Sequence, residues 1–258
     1  MCAVTISLTF VVLEIIKSTI MHIIHKTALI TGASKGFGLA LAEALAQRNW
    51  QLIINARNAA ELLKTQRHLE QWTTVTAISG DVRDEVHLLQ FPEVLQRLNV
   101  ALDLVVNNAS TLGGSPQPQL LDYPIESIHS IVHTNLIAPL SLLQKVRPYL
   151  SERPTIINLS TDAAVEPYPG WGGYGASKAG LDHLTLILAA ENPDWRVYAF
   201  DPGDMRTAMQ QAAFPGEDIS DRPLPEEVAV PALLNLLDGD LSNGRYSAQK
   251  LLEKEPIS

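Results

Sequence analysis

The chain has 258 residues, 46% of them hydrophobic, a formal net charge of -9 and a single cysteine, Cys2. That length and composition suit one sizeable α/β domain. The acidic balance leaves no basic surface for nucleic acid, and a lone thiol excludes an intrachain disulfide or a cysteine zinc cluster. A small-molecule partner, no metal and a cytoplasmic setting are therefore expected.

The first residues are apolar, but Glu14 and Lys17 interrupt them before bilayer length is reached, so a membrane span is not expected. A secretory signal would need positive charge ahead of the apolar stretch and small residues at a cleavage site, and neither is present. Residues 1–20 are set apart as an extra segment, either upstream of a translation start at Met21 or a weak anchor. The domain proper is expected over 21–258. From there short apolar runs alternate with helical-period segments. Strands are predicted at 27–30, 51–55, 74–78, 102–106, 155–159, 196–200 and 244–248. This pattern predicts an α/β fold: a single-domain, Rossmann-type, doubly wound parallel sheet of about seven strands with helices on both faces.

Directly after the first strand comes Thr31-Gly32-Ala33-Ser34-Lys35-Gly36-Phe37-Gly38, and then a helix whose apolar stripe is Phe37, Leu41, Ala44 and Leu45. Glycines here allow close backbone approach, and the unpaired N–H groups at a helix start favour a pyrophosphate. The second strand runs into Ile54-Asn55-Ala56-Arg57-Asn58. An acid at that point would hold the ribose hydroxyls of NAD; here it is missing and a guanidinium is supplied. Arg57, with Lys35 as a second cation, predicts NADP(H) in preference to NAD(H), unless both are ordinary solvated charges.

Further along, Asp81, Asn107-Asn108-Ala109, Asn135, Tyr174-x-x-x-Lys178 and Pro202-Gly203 follow in order. Together with the Thr-Gly-x-x-x-Gly-x-Gly spacing, this series resembles the short-chain dehydrogenases/reductases over nearly the whole chain after Met21. The resemblance implies that Thr31, Gly32, Ser34, Lys35, Gly36, Phe37 and Gly38 form the phosphate turn. It implies that Asp81 and Val82 flank the adenine and that Asn108 and Ala109 line the cofactor. Pro202 and Gly203 would meet the carboxamide, and Thr207 the neighbouring phosphates. Ser110 departs from the pattern, standing where the family has glycine. Lys178 would hydrogen-bond the nicotinamide ribose, and the carbonyl of Asn135 would hold a water of a proton relay.

Tyr174 and Lys178 are four residues apart, so a helix presents them on one face. A phenol with an ordinary pKa of about 10 needs a neighbouring cation to ionise near neutrality, and Lys178 supplies it. Tyr174 would then give its proton to a carbonyl oxygen, or take one from an alcohol. Pro139 has no N–H to offer the carbonyl of Asn135, which predicts a kink inside the helical stretch 127–143. The family has serine thirteen residues before the tyrosine; Thr161 is there instead, with Ser160 next to it as the alternative hydroxyl.

Residues 207–225, with Phe214-Pro215-Gly216 and two later prolines, read as a short-helix lid or as a plain surface connection. Residues 166–173 are locally similar to sepiapterin and benzil reductases, which implies a flat or aromatic carbonyl substrate. Tyr168 and Trp171 serve equally well as packing or interface aromatics, and Met205, Met209 and Phe214 are candidates for an apolar pocket. The expected activity is NADPH-dependent reduction of a small carbonyl compound, or the reverse alcohol oxidation. The alternative is an NADP(H)-binding sensor or scaffold without turnover; whether the chain is a homo-oligomer is left open.

Overall fold

The computed structural model describes residues 25–253, so the expectation about residues 1–20 and a start at Met21 lies outside the described part. Seven strands are present among the described residues. They are β1 (Thr27–Thr31), β2 (Gln51–Ala56), β3 (Val75–Ser79), β4 (Leu102–Asn107), β5 (Leu150–Leu159), β6 (Arg196–Asp201) and β7 (Gly244–Ser247). Every pairing is parallel and the order is β3-β2-β1-β4-β5-β6-β7. Only the fifth strand differs appreciably from its expected bounds, since it begins at Leu150, which pairs with Leu102.

Near-continuous apolar runs such as those of β1, β2 and β4 tolerate no wet face, and helices cover both. Alternate residues of β1 point opposite ways. Ala28 and Ile30 join one core with Leu41 and Leu45 of α1 (Gly36–Gln47), Leu62 of α2 (Ala59–Leu69), Leu233 of α9 (Ala229–Asp238) and Leu251 of α10 (Ala248–Glu253). Leu29 joins the other, with Leu95 of α4 (Gln90–Leu98), which follows the short α3 (Glu85–Leu88), and Leu142 of α6 (Ala138–Val146). Between β1 and β4 the chain switches sides of the sheet, which opens a crevice at the carboxyl ends of these strands.

The stretch expected as one kinked helix is three pieces: α5 (Ile125–Val132), a π turn (His133–Ile137) and α6. The wide turn absorbs the hydrogen bond that Pro139 cannot make to Asn135. Two more helices flank the crevice, α7 (Gly172–Glu191) and the short α8 (Ala208–Ala213). Among the described residues no helix is long and apolar enough to cross a membrane.

Candidate active site

At the mouth of the crevice lies a cleft of about 1290 Å³, large enough for a dinucleotide with a small second molecule beside it. The helix start at one end has the character of an anion site. Lys35 precedes α1 without any side-chain cap, so its first N–H groups have no side-chain acceptor. Ser34, Lys35, Gly36 and Phe37 line the cleft, as do Gly32, Asn108 and Ala109. Thr31 and Gly38 act behind this surface. The Thr31 hydroxyl accepts the N–H groups of Asn108 and Ala109 at 3.0 Å each, bolting the end of β1 to the end of β4. A Cβ on Gly38 would come within 2.5 Å of both Asn108 Nδ2 and the Gly32 carbonyl, so packing permits no side chain there. These features fit a pyrophosphate cradle.

Arg57 lines the cleft beyond this turn, beside Asp81 and Val82. Asn58, next to Arg57, fixes the start of α2 by accepting the N–H groups of Ala60 and Glu61 at 3.0 and 3.1 Å. Arg83 donates to Asp81 through Nη2 at 2.7 Å and Nε at 3.1 Å, and to Ser130 at 3.0 Å. That guanidinium holds the Asp81 carboxyl below its ordinary value. Arg83 was not singled out from the sequence; a basic residue two after an acid carries no distinctive signal.

Tyr174 and Lys178 both line the other end of the cleft, and both are buried. Lys178 Nζ donates to the Leu159 carbonyl at 2.6 Å and stands 5.8 Å from the centre of the Tyr174 ring. Burial pushes the Tyr174 phenol up, with the Ser110 hydroxyl opposing and the Asp201 and Asp162 carboxylates adding to the rise. The phenol is thus a neutral proton donor at neutral pH. Burial also pulls Lys178 down, to about 8, with Asp182 opposing.

Asn135 is fully buried within the π turn. Its Oδ1 accepts from Ser110 Oγ at 3.1 Å and from the Thr111 N–H at 2.9 Å. Its Nδ2 donates to the Thr111 carbonyl at 2.9 Å and to Ser177 Oγ at 3.0 Å. The side chain therefore joins the loop after β4 to the helix that carries Tyr174.

The hydroxyl expected from Thr161 is engaged elsewhere. Thr161 Oγ1 donates to Asp162 Oδ1 at 3.0 Å and caps the next turn by accepting the Ala163 N–H at 3.3 Å; Thr161 is not among the residues lining the cleft. Ser160 does line it, but its Oγ donates to Asp182 at 2.8 Å. Pro202 and Thr207 line the cleft, whereas Gly203, outside the lining, is exposed, with a φ of +71° and its N–H donated to Asp201 at 3.0 Å. Around Tyr174 pack Leu112, Trp171, Met209 and Ala212. The Trp171 ring lies 5.8 Å from that of Tyr174 and 5.8 Å from that of Phe214, while Tyr168 is exposed and donates to Asp162.

Sequence reasoning missed Arg245 entirely. From β7 it donates to Asp182 at 3.1 Å, to Asp201 at 2.8 Å and to the Thr161 carbonyl at 2.8 Å. One guanidinium thus ties the ends of β5 and β6 to the helix of Tyr174. Replacing it in Arg245→Met leaves two mostly buried carboxylates without their cation. Denaturant unfolding should show a loss on the order of 3 kcal/mol; an unchanged midpoint would contradict this role.

Residues 26–218 match the family model for short chain dehydrogenases. The chain is 33% identical to the sepiapterin reductase of Meriones unguiculatus over 87% of its own length and 88% of that protein's. It is 31% identical to the (S)-benzoin-forming benzil reductase IRC24 of Saccharomyces cerevisiae, over 72% of its length and 74% of that protein's. An alcohol dehydrogenase from the archaeon Thermococcus sibiricus, solved in complex with 5-hydroxy-NADP, superposes with a TM-score of 0.76 at 29% identity, covering 86% of this chain and 94% of that one.

Proposed function

The chain belongs to the short-chain dehydrogenase family and is an NAD(P)-dependent oxidoreductase acting on CH–OH or C=O groups, and from that premise we propose that it reduces a small carbonyl compound with NADPH. The observation that carries the reading is geometric: the buried Tyr174 phenol shares one cleft with Lys178, the glycine turn and Arg57. The phenol is placed to give a proton to a carbonyl oxygen, or to take one from an alcohol.

In this reading the backbone N–H groups from Ser34 to Phe37 bind the pyrophosphate, and Arg57 and Lys35 take the additional phosphate. Asp81 and Val82 border the adenine. Bound NADPH supplies hydride to the carbonyl carbon. Tyr174 gives its proton to the carbonyl oxygen as negative charge builds there, and Lys178 holds the nicotinamide ribose. Asn135 is assigned to the proton relay, and Thr161 to binding the substrate oxygen once its hydroxyl turns from Asp162. The apolar surroundings of Tyr174 and the likeness to sepiapterin reductase favour a flat, uncharged carbonyl substrate.

The test is to titrate NADPH and NADH by fluorescence and then follow NADPH oxidation with a panel of aldehydes, ketones, diketones and pterins. Saturable turnover is expected with aromatic or diketone members. Tight NADPH binding with no turnover across the panel would instead mark a sensor or scaffold.

A further inference from the structure

Arg83 stands outside the cleft lining, yet its guanidinium is spent on two elements at once. Nη2 donates to Asp81 Oδ2 at 2.7 Å, and Nε reaches both oxygens of that carboxylate, at 3.1 and 3.2 Å. Nη1 donates to Ser130 Oγ on α5 at 3.0 Å. The fork therefore clamps the loop after β3, which carries Asp81 and Val82, to the helix that leads into the π turn. From Ser130 the contacts continue. Its carbonyl accepts the Thr134 hydroxyl at 2.9 Å, and Asn135, the next residue, donates to Ser177 Oγ at 3.0 Å. Ser177 Oγ in turn donates to the Tyr174 carbonyl at 2.7 Å. We propose that Arg83 is a positioning residue that couples the adenosine end of the cofactor to the catalytic end, bracing α5 and the π turn against the helix of Tyr174 when Asp81 meets the adenine.

A guanidinium is planar and rigid, so the carboxylate and the serine hydroxyl are held at a fixed angle to one another. The Arg83 and Asp81 side chains are 37% and 28% exposed. An ion pair that open to water contributes little to stability and keeps much of its freedom. An adenine amino group donating to Asp81 fixes that carboxylate in one rotamer, and the fork with it. The ordering entropy is then lost on binding the adenosine end and is not lost again when the substrate end is ordered, which couples the two ends without a change of fold. The π turn receives the bracing. Asn135 is fully buried there and grips both the loop after β4, through Thr111, and α7, through Ser177.

The proposal rests on the NADPH-dependent reading, and one ligand tells the two apart. Adenosine 2′,5′-bisphosphate carries the adenosine end of NADPH without the nicotinamide. At saturation it should slow hydrogen exchange of the wild type over 32–38, at the glycine turn, and about fivefold over 129–137. Arg83→Lys keeps the charge beside Asp81 but loses the fork; Ser130→Ala leaves the Asp81 pair intact and loses its far contact. In both variants protection should persist over 32–38 and vanish over 129–137. Thr134 itself lines the cleft. Direct contact there would protect 129–137 in all three proteins, which overturns the proposal, as does a wild type protected over 32–38 alone. No protection over 32–38 overturns the cofactor reading, and the proposal with it. Turnover gives a second readout: at saturating NADPH, kcat for carbonyl reduction should fall about fivefold in Ser130→Ala with NADPH affinity nearly unchanged. Affinity falling while kcat holds, or neither changing, leaves Arg83 a plain support of Asp81 and overturns the coupling.

Discussion

Tyr174→Phe is expected to lower kcat for carbonyl reduction by about 10³-fold while leaving NADPH affinity unchanged, because it removes a proton donor and almost nothing else. The ring keeps its contacts with Trp171, Leu112 and Met209, and Lys178 keeps its bond to the Leu159 carbonyl. The buried phenol loses only its oxygen. Stopped-flow measurement of NADPH oxidation under saturating substrate separates this effect from any change in binding. A variant that retained more than about a tenth of wild-type kcat would remove Tyr174 from the chemistry, since a positioned general acid contributes about 10² to 10⁴.

Arg57→Asp should invert cofactor choice. A guanidinium at the end of β2 can take a phosphate through two charge-assisted hydrogen bonds, whereas a carboxylate repels the phosphate and accepts from ribose hydroxyls. The exchange should lower the ratio of kcat/KM for NADPH to that for NADH by about 10²-fold or more, equivalent to roughly 2.7 kcal/mol. The backbone that presents the residue should survive, because the cap of α2 is made by Asn58. Lys35 stays in the variant, so measurable turnover with NADPH should persist. If the ratio does not move, Arg57 is a solvated surface charge and the discrimination lies elsewhere.

Much of this molecule is written in short-range pattern. Each strand of the sheet was legible because an apolar run bounded by polar or turn residues has few alternatives once helices separate the runs. The glycine turn was legible because its chemistry is local: strand, turn and helix start are contiguous, and the backbone itself is the ligand. Pro139 announced a disturbance at Asn135 because a missing N–H acts one helical turn away. The form of the disturbance was not legible; a π turn rather than a simple kink depends on what Asn135 grips on its neighbours.

The sequence by itself thus determined the α/β class, the parallel strands, the phosphate turn and the four-residue interval that puts Tyr174 and Lys178 on one face of a helix. Only the tertiary structure decided which partners the hydroxyls near the cleft take. Thr161 has the expected interval in the chain and bonds Asp162 and the Ala163 N–H beside it; Ser110 donates to Asn135, 25 positions on, through the loop after β4. Arg245 belongs to the same class, since its carboxylate partners lie 63 and 44 positions away and meet it only because β7 pairs with β6 beside α7. The physical reason is range: helix faces and turns follow from neighbours a few residues apart, whereas a side chain's choice among hydrogen-bond partners depends on strand order and register.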